Sequence, residues 1–294
     1  MDEAPNGRKS TKLSIHHPHE PNCAIVGVLE QLSPHQSTQG RRIALLLHGS
    51  LGHKDYLFLK PLALRLPMDN FRFDFRANHE TPGTWRFGSV LNDCVDIQVV
   101  VDYLTKEYGY IVDLVVGHSR GSVAGLLWLC KAEESKHVRG FINVSGRYRM
   151  KIIYDHLLDQ ENKQSLKTRG YFEMKATVAR KPFVGRVTRP DLDDFANTDT
   201  SVAWTRFPSS IDVLTIHGIR DGVVPVYDAI IYAQAYGGRT PGTHTLHLVE
   251  RADHNFTGLS EEVVSIILQW WQKVEHREVK TGLWDIGCRG SSKL

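Results

Sequence analysis

The chain lacks any long apolar run. Across 294 residues its most continuous hydrophobic pieces are short, such as IALLL at 43–47. A bilayer-spanning helix needs roughly 18 or more apolar residues, so no membrane span is expected. A strong charge of either sign is also lacking. Thirty-six Lys and Arg against 33 Asp and Glu leave a formal net charge of +3, too small to argue for a nucleic-acid partner. Cysteine is sparse: Cys23, Cys94, Cys130 and Cys288 stand far apart without metal-ligand spacing. The first 22 residues carry no apolar stretch of the kind that leads a chain into the secretory route, so these thiols are expected to be reduced. His16, His17 and His19 cluster in that polar stretch, where solvated side chains, and not a bound metal, are expected. No metal or organic cofactor is called for.

What is present is a globular composition, 41% hydrophobic and 23% charged, which is enough to build a large core. From Cys23 onward, apolar runs of strand length alternate with segments of helical spacing. Strands are expected over 23–32, 41–49, 71–75, 112–118, 140–146, 212–218 and 243–250. Helices are expected over 56–66, 90–109, 122–134, 227–238 and 260–274. Such alternation points to an α/β fold with a mostly parallel central sheet covered by helices on both faces. The expected organisation is a flexible arm over 1–22 and a core in two parts, 23–148 and 208–278. An insertion of lid size separates them at 149–207, and a tail follows over 279–294. The insertion has no convincing core strand but is rich in basic residues, among them Lys151, Lys163, Lys167, Arg169, Lys175 and Arg186. They read first as a solvated face, and second as an attraction for an anionic acyl substrate.

Chemistry concentrates in a few turns. Gly117-His118-Ser119-Arg120-Gly121 is a G-x-S-x-G placed between an expected strand and an expected helix, the setting in which this motif projects a serine hydroxyl. A hydroxyl is a poor nucleophile alone and needs a base held by a third group. Downstream, Asp221 follows the strand ending at Gly218. His254 follows the last core strand and precedes the closing helix. Asp228, on a helix, and Asp253, beside the histidine, are poorer orienting candidates. An oxyanion hole is expected from two backbone N–H groups. One belongs to Arg120, just after the serine, and the other to Ser50 in the loop 48–54, with Leu51 as the fallback.

With these motifs assembled, the chain resembles the α/β-hydrolase superfamily over about residues 23–275. The resemblance rests on HGS at 48–50, GHSRG at 117–121, HGIRDGVVP at 217–225 and ADHNF at 252–256. It is most similar to the cinnamoyl/feruloyl-esterase and serine-aminopeptidase-like branch, and it also resembles fungal hydrolases of toxin biosynthesis associated with peroxisomes. The stretch FRFDFRANHETPG resembles a family turn but carries Ala77 and Glu80 where glycines are common. The resemblance implies acyl-enzyme chemistry on a small-molecule carboxylic ester or thioester, with Ser119, His254 and Asp221 catalytic. An acyltransferase or biosynthetic hydrolase of the same fold is the first alternative, and a catalytically silent ligand-binding member the second. The sequence ends Ser292-Lys293-Leu294, the tripeptide read by the peroxisomal import receptor, so a peroxisomal matrix location is expected, or otherwise a cytoplasmic one.

Overall fold

The computed structural model describes residues 7–286. Nine strands form one sheet: β1 (Lys9–His16), β2 (Ala24–Gln31), β3 (Arg42–Leu47), β4 (Asp69–Phe73), β5 (Ile111–His118), β6 (Gly140–Val144), β9 (Asp212–Gly218), β10 (His244–Val249) and β11 (Gly282–Ile286). Their spatial order is β1-β2-β4-β3-β5-β6-β9-β10-β11. The β1–β2 and β2–β4 pairings are antiparallel, and every other pairing in this sheet is parallel.

The unbroken apolar runs have a simple cause. Strands buried on both faces have no solvent side to alternate with. In β3, Ile43, Leu45 and Leu47 enter one core and Ala44 and Leu46 the other, all fully buried. The first core is closed by α2 (Val90–Tyr108), α3 (Arg120–Leu129) and α8 (Tyr227–Gly237). The second is closed by α1 (Leu59–Arg65) and α9 (Ser260–Glu275).

Between β6 and β9 the chain leaves the sheet. It forms α4 (Ile153–Leu157), α5 (Gln160–Arg169), an antiparallel hairpin of β7 (Tyr171–Val178) and β8 (Lys181–Thr188), then α6 (Arg189–Ala196) and α7 (Val202–Thr205). The two-residue hairpin turn puts both Ala179 and Arg180 at positive φ, the geometry that matches strand twist. Phe183 and Phe195 anchor this layer edge-on or tilted against Trp85 and Phe87 of the core. Its basic residues Lys151, Lys163, Lys167, Arg169, Lys175 and Arg186 are all exposed.

Two expectations are corrected at the ends of the chain. Within the supposed flexible arm, residues 9–16 form an edge strand. Ile15 is buried, and Arg8 donates from Nη1 to Ala63 O at 2.8 Å and from Nη2 to Leu66 O at 2.6 Å. Within the supposed tail, residues 282–286 extend the sheet beside β10. β1 alternates polar and apolar residues over eight positions and β11 has only five, so neither shows the apolar run that marks a central strand. Ser292, Lys293, Leu294 and Cys288 lie outside the described residues.

Candidate active site

The parallel strands end at one edge, and the loops leaving β3, β4, β5, β6, β9 and β10 converge there. The tightest is the turn from β5 to α3. Ser119 sits at φ 52°, ψ −117°, a left-handed conformation that costs a non-glycine residue about 1–3 kcal/mol and survives only when its surroundings impose it. They do so here. The Ser119 N–H donates to Val144 O at 2.8 Å, and Ser122 Oγ closes the turn on Gly117 O at 2.6 Å. A Cβ on Gly117 would meet Ser122 N and Cα at 2.5 Å. One on Gly121 would meet the carbonyl oxygens of Leu47 and His48 at 2.5 Å. Both contacts are with backbone, which cannot step aside, so the two glycines are a steric requirement of the elbow.

The structure brings Ser119, His254 and Asp221 together. Ser119 Oγ lies 3.0 Å from His254 Nε2, and His254 Nδ1 lies 2.8 Å from Asp221 Oδ2. A carboxylate only accepts, so Nδ1 carries the proton given to Asp221, leaving Nε2 free to accept from the serine hydroxyl. Asp221 is itself held in place. Its Oδ1 accepts from the N–H groups of Val223 at 2.8 Å and Val224 at 2.7 Å. Burial pushes its carboxyl pKa up, but hydrogen bonds from His217, His254 and Val224 outweigh that and hold it well below the ordinary carboxylate range. Asp228 and Asp253 are committed elsewhere. The first pairs with Arg149 and the N–H of Tyr148, and the second accepts from the N–H groups of Asn255 and Thr257.

Three supporting residues escaped the sequence reading. His217, on β9, directs Nε2 at both Val224 O (2.8 Å) and Asp221 Oδ2 (3.3 Å). His118 donates from Nε2 to His254 O at 3.0 Å, fixing the backbone that carries the base. Burial, then the neighbouring His254, bring the His118 pKa down to about 3, so this ring is neutral at physiological pH. His48 accepts from the Phe75 N–H at 3.0 Å and binds Gly49 O at 2.8 Å, shaping the loop that carries Ser50. For His217 the only sequence signal was its place four residues before Asp221.

Ser50 and Arg120 both line the cavity above Ser119. Among the described residues neither of their backbone N–H groups has an acceptor within the chain. The Arg120 side chain is turned away, with Nε at 2.5 Å from Asp93 Oδ2 and Nη1 bonded to Phe87 O. It clamps the elbow to α2. The cavity encloses about 420 Å³ and is walled mostly by apolar groups, including Val123, Ile153, Leu157, Met174 and Phe195. That volume falls within the range of small-molecule sites. A second, polar recess of about 240 Å³ adjoins it, again touching Ser50 and Arg120.

No clustered histidine site forms from His16, His17 and His19: His17 Nε2 faces Asp96 at 3.5 Å, and its Nδ1 accepts from the His19 N–H. Among the described residues, Asp74, His79 and Glu80 bring possible ligand atoms within 4.8 Å, but the Lys54 ammonium already bridges Asp74 and Glu80. Burial pushes the Cys94 and Cys130 thiols up to about 12, which disfavours the thiolate form.

The sheet order, the serine elbow and the loops gathered at one strand edge define the α/β-hydrolase fold. Est1E from Butyrivibrio proteoclasticus, solved with ferulic acid bound, is similar with a TM-score of 0.68 at 16% identity, over 90% of this chain and 99% of that one. The Pyrococcus furiosus esterase Pf2001 is similar with a TM-score of 0.62 at 14% identity, over 90% of this chain and 92% of that one. By sequence, the chain is 28% identical over 246 residues to the uncharacterized Saccharomyces cerevisiae protein YDL057W, covering 74% of this chain and 70% of that one. No protein-family model matches the chain.

Proposed function

We infer that this protein is a serine hydrolase that cleaves a carboxylic ester or thioester through an acyl-enzyme. The observation that carries this reading is the hydrogen-bonded chain from Ser119 Oγ through His254 to Asp221, at 3.0 and 2.8 Å, on a strained elbow beneath a cavity. Ser119 attacks the acyl carbon while His254 Nε2 takes its proton. Asp221 keeps Nδ1 protonated and stabilises the imidazolium that results. The N–H groups of Ser50 and Arg120 receive the oxyanion; a donor of this kind is worth about 10²–10³ in rate. His254 returns the proton to the leaving group, then activates water to release the acid. The esterases Est1E and Pf2001, which share the fold, are consistent with this chemistry.

The test is Ser119→Ala. Hydrolysis of short p-nitrophenyl esters should fall by at least about 10⁴, with labelling by a fluorophosphonate probe abolished. Full activity in that variant would eliminate the mechanism.

A further inference from the structure

Arg147 lines the same cavity and has no part in the mechanism above. It leaves β6 through the Ser145–Gly146 turn and is 5% exposed. Its Nη2 donates to Val223 O at 2.6 Å, while Nη1 is buried and has no hydrogen-bond partner among the described residues. Among the described residues no carboxylate forms an ion pair with it. Asp228 and Asp221 lie near enough to act on its charge, yet both are engaged. Asp228 pairs with Arg149 and the Tyr148 N–H, and Asp221 with His254, His217 and two backbone donors. A guanidinium cannot shed its proton to escape burial, and an unmade hydrogen bond to a buried charged group is expensive.

Most of the other walls are apolar. Val123, Ile153, Leu157, Met174 and Phe195 present hydrocarbon or thioether. The lid cations Lys151, Lys163, Lys167 and Arg169 face solvent, so they add no positive charge inside. The cavity is therefore mostly apolar, with His156, Thr177 and Asn255 also on its wall. Of its two guanidinium groups, Arg120 is paired with Asp93, and Arg147 has no carboxylate partner among the described residues. An acyl chain ending in a carboxylate matches both features, because a planar guanidinium pairs with a carboxylate by charge-assisted hydrogen bonds that strengthen when water is excluded.

We propose that Arg147 is a specificity residue that binds a carboxylate on the acyl portion of the substrate, so that the preferred substrates are half-esters or half-thioesters of short dicarboxylic acids. The proposal deepens the serine-hydrolase reading and rests on it for the position of the scissile bond.

The p-nitrophenyl half-ester of adipic acid and p-nitrophenyl hexanoate share chain length and leaving group and differ in the terminal carboxylate. The wild-type protein should favour the half-ester in kcat/KM by at least about tenfold. Arg147→Met should erase that preference, and Arg147→Lys, which keeps the charge, should retain part of it. If Arg147 only holds the Val223 loop, Arg147→Met lowers both rates by one factor and the ratio stands. That result overturns the proposal, as does a wild-type protein without preference, a comparison that needs no variant to fold. Binding separates recognition from chemistry. Monomethyl adipate, titrated calorimetrically into Ser119→Ala, should bind at least about tenfold more tightly than methyl hexanoate, and the advantage should vanish when Arg147→Met is added. Protein that binds monomethyl adipate through Arg147 but cleaves neither ester would uphold the carboxylate site and refute the hydrolase reading.

Discussion

At the scale of single residues, Arg120 has a divided role. Its backbone N–H belongs to the proposed oxyanion hole, while its side chain forms a largely buried ion pair with Asp93. Arg120→Met keeps the first and removes the second, leaving the Asp93 carboxylate buried without its cation. Breaking such a pair costs about 3–5 kcal/mol. Urea unfolding of Arg120→Met should therefore show a loss of about that size, and Asp93→Asn combined with Arg120→Met should recover part of it. Fluorophosphonate labelling at saturating probe should still reach the folded fraction. An unchanged unfolding midpoint would show that the clamp contributes nothing. Ser119, Asp221 and His254 were legible as candidates because each lies in the turn or loop after a readable strand. His217 and Arg147 were not. Their significance lies in burial and in partners brought close by folding, such as Val223 for Arg147, 76 positions away.

At the scale of elements, the loop after β4 departs most from what glycine-rich family turns allow. Ala77 and His79 take positive φ, at 57° and 47°, without the freedom of glycine. The Ala77 N–H donates to Pro82 O at 3.1 Å, and the loop around both residues is tied down: Asp74 Oδ1 accepts from the Lys54 N–H at 2.6 Å, Thr81 Oγ1 donates to Asp74 O at 2.7 Å, and Glu80 joins Lys54 to Lys12 of β1. Hydrogen bonds from Lys12 and then Lys54 pull the Glu80 pKa from 4.5 to about 2. A depressed folded pKa gives stability that is complete above the unfolded value and disappears as pH falls through the folded one. Glu80→Gln should thus lower the urea midpoint at pH 7 and lower it clearly less at pH 3. Equal losses at both pH values would mean that Glu80 acts by shape and not by charge. The departure from glycine was visible in the sequence. That Lys12, 68 positions away, would help stabilise the loop was not.

At the scale of the whole molecule, the sheet reaches past the segment that carries the motifs. β1 closes one side of it and β11 lies beside β10 at the other. Removing residues 1–17 should cost at least about 2 kcal/mol from the burial of Ile15 alone, and would expose the edge of β2 to other chains. Thermal unfolding should shift downward, and light scattering should reveal association that the full chain does not show. A truncated protein of unchanged stability would mean that β1 merely decorates the sheet.

The sequence by itself determined the alternation of buried strands and helices, because period and apolar run length follow from local backbone geometry. It also determined the order serine, acid, histidine, since each follows a readable strand. Only the tertiary structure decided where the Arg120 guanidinium goes, that the basic residues of the insertion are exposed, and that Arg147 Nη1 is buried without a partner among the described residues. Those outcomes depend on distance and burial between segments far apart in the chain, and local pattern carries no record of either.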